Sequence, residues 1–118
     1  MKLALVVEDR PYAAGEWIRG RVEVQEGGHS RGLTVSLLQR DRTTDYKGVV
    51  RRIDGPELHQ GDLEAPASFD FSVQVPEDAA PSYSDGYGEI YWELDAKSDE
   101  RGMDTHARSV IRVTPPQR

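Results

Sequence analysis

The chain has 118 residues, of which 36% are hydrophobic, and it carries a formal net charge of -6. That length suits one domain with a core of moderate size, and the acidic balance argues against nucleic acid and against an anionic membrane surface as partners. There is no cysteine, which removes disulfides and thiolate metal sites from consideration.

Leu3, Leu5 and Val7 alternate with Ala4 and Val6 and predict a first strand ending at Glu8-Asp9. Five apolar residues before Glu8 are too few for a signal-peptide core or a bilayer span, so the chain is expected to be cytoplasmic and not membrane-inserted. After a turn from Arg10-Pro11 to Gly15, Glu16 to Gln25 reads as a second strand. Its Ile18, Gly20, Val22 and Val24 face inward, and its Arg19, Arg21 and Glu23 face outward. Gly20 within that run predicts a bulge or a close backbone approach. Residues Glu26 to Gly32 read as a Gly-rich hairpin loop. Leu33, Val35 and Leu37 form the buried face of a third strand that runs out at Arg40-Asp41-Arg42.

Thr43 to Asp54 fits a bulged edge strand or a short helix, and its Val, Thr and Tyr content favours the strand. Gly55-Pro56 reads as a turn and Glu57 to Pro66 as a polar connection. The stretch from Ser68 to Ala96 holds the two strongest strands. Phe69, Phe71, Val73 and Val75 alternate with polar residues until Pro76, which has no N–H to give a ladder. Beyond a turn-rich passage with Pro81, Gly86 and Gly88, Ile90, Trp92, Leu94 and Ala96 share one face. Glu89, Tyr91, Glu93 and Asp95 share the other. A turn from Ser98 to Asp104 leads to a last strand, Thr105 to Thr114, closed by Pro115-Pro116. Seven or eight strands at even spacing, with no long helix and no repeat, predict an all-β, antiparallel, immunoglobulin-like sandwich.

Few residues point to chemistry. Gly28-His29-Ser30-Arg31-Gly32 matches G-x-S-x-G, but a nucleophile elbow needs a strand entering and a helix leaving a strained turn. The residues that follow, LTVSLL, are strand-like, so Ser30 is read as a turn residue. His29, His59 and His106 lie isolated in polar segments without metal-ligand spacing. Asp99, Glu100 and Asp104 share a loop in which a hard cation is one reading and ordinary turn chemistry the other. Trp92 falls on the apolar face of its strand, whereas Trp17 falls on the side away from Ile18. No cofactor, metal or catalytic residue is expected.

Tyr83, Tyr87 and Tyr91 flank the irregular loop, where aromatics either cap one end of the sandwich or serve protein recognition. With Glu89, Glu93 and Asp95 they form the candidate partner-binding set. Met1 to Asp54 holds 10 basic and 8 acidic residues, whereas Gly55 to Arg118 holds 5 and 13. Glu89, Glu93 and Asp95 stand on one wet face, with Arg19 and Arg21 on another and Arg40, Arg42, Arg51 and Arg52 in mid-chain. They read as solvated faces that pair across strands or, on opposite sides, as a means of head-to-tail association or recognition of a charged partner.

Three segments resemble the arrestin-type domain shared by arrestins, retromer subunits and bacterial sporulation-control proteins. Pro11 to Val22 is similar to the family's Y-x-x-G-E-x-(V/I)-x-G-x-(V/I) opening, and Gly32 to Leu37 matches the strand that follows. Phe71 to Pro76 with Ala80-Pro81-Ser82-Tyr83 resembles the stretch leading to the (I/V)-x-(Y/W)-x-L-x-A strand, here Ile90 to Ala96. The resemblance implies a single arrestin-like sandwich over residues 1–118. It implies a non-enzymatic adaptor or scaffold that binds another protein or itself, with a homodimer as one way to supply the family's usual second domain. Two alternatives stand beside it. One is a small-ligand or carbohydrate module using Tyr83, Tyr87, Tyr91 and Trp17, and the other a Ca²⁺-dependent module using Asp99, Glu100 and Asp104. An esterase built on Ser30 ranks last.

Overall fold

The structure, a computed structural model, describes residues 1–116. Seven long strands build two facing sheets: β1 (Lys2–Val7), β3 (Trp17–Glu26), β4 (Gly28–Thr43), β5 (Lys47–Leu63), β6 (Ala67–Gln74), β8 (Gly88–Asp99) and β9 (Thr105–Ile111). Three two-residue segments complete them: β2 (Tyr12–Ala13), β7 (Tyr83–Ser84) and β10 (Val113–Thr114). One sheet has the order β1-β3-β6. The other runs β5-β4-β8, with β7 and β9 sharing the far side of β8. All pairings are antiparallel except the short β2–β10 contact. No helix among the described residues is long and apolar enough to cross a membrane.

The period-two pattern fixes which side chains go inside, because alternate residues of a strand point to opposite faces. Ile18, Val22 and Val24 of β3, Phe71 and Val73 of β6, Leu33, Val35 and Leu37 of β4, and Trp92, Leu94 and Ala96 of β8 meet between the sheets. The alternating runs read from the sequence are the walls of this core. Gly20 stands in mid-strand, as a close approach and not as a bulge. A Cβ there would lie 2.6 Å from the Val6 carbonyl oxygen.

Four segments differ from the sequence reading. The Gly-rich stretch Glu26 to Gly32 is not a hairpin loop, since only Gly27 interrupts the strands and β3 and β4 lie in different sheets. The chain crosses there against its own backbone, where a Cβ on Gly27 would come within 2.2 Å of the Leu63 carbonyl oxygen. Gly55-Pro56 and the polar connection after it are also strand. Both residues stand opposite Val35 alone, as Thr34 pairs with Glu57 and Ser36 with Asp54. A bulge absorbs them, and an edge strand tolerates Pro56 where no ladder N–H is required. The third strand, expected to run out at Arg40-Asp41-Arg42, ends one residue further on at Thr43, because β8 pairs with it to Gly88. Finally, the last strand breaks at Arg112. β9 leaves β8 and the chain turns to lay β10 beside β2, with Tyr12 N–H on the Arg112 carbonyl at 2.9 Å.

Candidate functional site

The turn-rich passage between β6 and β8 is built from specific bonds. Ser82 N–H donates to the Val113 carbonyl at 2.8 Å, and Val113 N–H donates to Ser82 Oγ at 2.9 Å. Trp92 is fully buried and its Nε1–H reaches the Ala80 carbonyl at 2.8 Å, which anchors the same passage to the core. The chain then forms β7 and turns at Asp85. One oxygen of that carboxylate accepts the N–H groups of Tyr87 and Gly88 at 2.7 and 2.9 Å, an Asx turn. The other accepts the Tyr83 hydroxyl. This bond holds the Tyr83 hydroxyl above the usual tyrosine range, and the same bond, ahead of the two N–H groups, holds Asp85 below the usual carboxylate range.

The result is a fixed hairpin tip with exposed aromatic rings. Tyr83 is 56% and Tyr87 87% exposed. The tip of the β4–β5 hairpin lies beside it, since Thr43 pairs with Gly88. Arg42, Thr43 and Thr44 share a small recess with Asp85, Gly86 and Tyr87. That second tip carries Tyr46, 51% exposed, whose carbonyl accepts Thr43 N–H at 2.7 Å. Tyr46 is not in the candidate set, because the Val, Thr and Tyr content of Thr43 to Asp54 favours a bulged edge strand there. Its signal in the sequence was the turn-like run Thr43-Thr44-Asp45 before it.

Around the edge from this tip lies a cleft of about 610 Å³. Tyr83, Ser84, Glu89 and Tyr91 line one side and Glu8 to Pro11 another, with Val110 and Arg112 beside them. Tyr91 is half-buried there. Glu89 is held by Arg42 at 2.6 Å across the β4–β8 pair.

Glu93 and Asp95 lie on the same outward face, as the alternation requires, but their neighbours cover them. Glu93 accepts Arg40 Nε at 3.0 Å and stands 3.9 Å from Arg108. Asp95 is 8% exposed, bonded to His106 Nδ1 at 2.9 Å and 3.6 Å from Arg108 Nε. The physical reason is cross-strand geometry. Ser36, Asp95 and Arg108 occupy one row of the β4-β8-β9 sheet, and the long cationic side chains fold down over the shorter acids.

The remaining candidates are dispersed. Ser30 is in strand, not in a turn, and is fully buried; Ser98 Oγ donates to its Oγ at 2.8 Å and Gly32 N–H at 3.2 Å. His29 pairs with Asp62 at 2.7 Å, and His59 Nε2 lies 3.0 Å from the Asp62 carbonyl. Asp99 takes Arg31 at 2.9 Å, Asp104 accepts Glu100 N–H at 3.1 Å, and Glu100 stands 3.8 Å from the Met1 amino group. The Glu100 N–H is the main reason that the Asp104 carboxyl is held below its ordinary range. Among the described residues, no three His, Asp or Glu side chains stand together as a metal site needs. Trp17 is 51% exposed and lines a recess of its own with Glu8, Arg10, Tyr12, Glu16 and Arg19, apart from the three tyrosines of the expected sugar site.

Two facing sheets, with a long bulged β4–β5 hairpin at the edge of one and a last strand that peels away to join β2, make this an arrestin-like β-sandwich. Among solved structures it is similar to Spo0M, a sporulation control protein from Bacillus subtilis, with a TM-score of 0.60 and 16% sequence identity. The match covers 99% of this chain and 49% of that one, so the chain spans about half the length of its structural relative. At that identity the likeness is one of fold. No protein-family model matches the chain, and no curated protein matches its sequence.

Proposed function

We propose that this domain is a non-enzymatic adaptor or scaffold module, working in the cytoplasm, that binds another protein through the paired hairpin tips. The observation that carries the reading is the set of exposed rings Tyr46, Tyr83 and Tyr87, set among Ser, Thr, Gly and Asp on two tips braced by the Asp85 turn. Tyrosine supplies wide contact area at low conformational cost, and Ser, Gly and Asp supply adaptable hydrogen bonds, the composition that recognition loops use. Tyr91 and Glu89 extend this surface along the cleft. Glu93 and Asp95 support it from below by keeping the sheet face in register.

The test is a pull-down from the native lysate with the wild-type chain and a Tyr46→Ala/Tyr83→Ala/Tyr87→Ala variant of unchanged melting temperature. The reading expects one specific protein retained by the first and lost by the second. Retention that ignores all three substitutions, or no retention at all, would sink it.

A further inference from the structure

A different surface, the free edge of β1, is complementary to itself. Edge strands expose unpaired N–H and C=O groups, and natural sheets blunt them with prolines, bulges or charges. Most edges here are blunted in that way. β5 has irregular register at four places and carries Pro56. β9 places Arg108 at its centre, so a copy laid antiparallel would set arginine against arginine. β6 carries Asp70 with no basic residue to meet it, and β7 has only two residues.

β1 carries such devices only at its ends. Its sequence is KLALVV, with no proline and a single register irregularity at the Lys2/Leu3 end. Among the described residues its only hydrogen-bonded partner strand is β3. β9 lies beside it in the opposite sheet, joined at one end by Thr105 Oγ1 to the Met1 carbonyl at 3.5 Å. Towards Val7 the cleft of about 610 Å³ lies against both strands. The strand is bracketed by opposite charges, exposed Lys2 at one end and, just beyond the other, Glu8, which is 73% exposed and takes Arg10 Nε at 3.1 Å with one carboxylate oxygen.

We infer that β1 pairs antiparallel with β1 of a second copy of this chain, with Leu5 opposite Leu5 across the two-fold axis. That register sets Lys2 against Glu8 twice, once on each side of the axis. It sets Ala4 against Val6 on the outer face and Leu3 against Val7 on the inner face. Like residues meet like faces, as antiparallel partners must, and the two three-stranded sheets join into one of six. The contact is isologous and closes, so it yields a dimer and not a fibre. Seven paired residues on each strand make a small interface, so the dimer is weak and concentration-dependent.

The chain has no native cysteine, which makes disulfide trapping clean. Directly opposed residues lie within disulfide range, whereas residues two positions out of register lie beyond it. An equimolar mixture of Ala4→Cys and Val6→Cys chains is therefore expected to cross-link under mild oxidation far more than either alone. Sedimentation velocity across a concentration series should show a dimer that Lys2→Glu or Glu8→Lys each weakens about tenfold. The two changes combined should restore it. A monomer at every concentration, cross-linking equal in all three samples, or no recovery in the double variant would overturn the inference. Loss of tyrosine-dependent partner binding would leave it untouched, because the tips and β1 are separate surfaces.

Discussion

The Tyr83 hydroxyl donates to Asp85 Oδ2 at 2.5 Å while Asp85 Oδ1 closes the turn that presents Tyr87. Both groups are solvent-exposed, so the bond is read through its titration. Bonding holds Asp85 low and Tyr83 high. A depressed acid contributes order above its ordinary value and loses it as pH falls through the folded one, and a raised phenol loses its contribution as pH rises through its folded value. The tip is therefore most ordered between about pH 4 and about pH 10. In a phenolate absorbance titration, Tyr83 and buried Tyr12 should ionise above the usual tyrosine range. Tyr12 is raised chiefly by burial, against the opposing pull of Arg10. Asp85→Asn should bring Tyr83 back toward the usual tyrosine range and leave Tyr12 late.

Gly20→Ala should destabilise the sandwich by about 1–3 kcal/mol, the usual cost of overpacking. The added methyl would meet backbone at Val6 as well as the Phe71 and Val7 side chains, and the carbonyl cannot rotate away from it. Urea denaturation measures it. An unchanged midpoint would mean that β1 yields freely.

Ser30→Ala leaves the buried Ser98 hydroxyl and the Gly32 N–H without their shared acceptor. A loss of about 1–3 kcal/mol is expected. A variant as stable as the wild type would show that Ser30 does not serve the core.

Asp95→Ala and Glu89→Ala separate support from surface. Asp95 is covered and bonded to His106, so its removal should lower the melting temperature while removing Glu89 should not. Differential scanning calorimetry of the two variants decides this, and equal effects would contradict the distinction.

Tryptophan fluorescence should show two populations. Trp92 is buried and Trp17 half exposed, so iodide should quench only one fraction, and Trp17→Phe should remove that fraction. Quenching that persists in the variant would place Trp92 within reach of solvent.

Alternation made the core legible, because a strand's period of two sorts side chains without knowledge of which strands pair. Phe71, Val73, Trp92 and Leu94 were each assigned to the inside from their immediate neighbours. Turn chemistry was legible only where the turn is local. Asp85 caps its own hairpin, but Gly27, Gly55 and Pro56 look like loop residues and are strand, since their demand comes from Leu63 and Val35 far along the chain.

The sequence by itself determined an all-β sandwich, its inward faces and two of the three tyrosines, Tyr83 and Tyr87, that mark its tips. Only the tertiary structure decided that Tyr46 joins them from another hairpin, and that Asp95 and Glu93 are covered by Arg108, His106 and Arg40. It alone showed that β1 is left with an open edge. The physical reason is range. Side-chain direction depends on residues one or two positions away, whereas exposure depends on long side chains that pairing brings across from other strands.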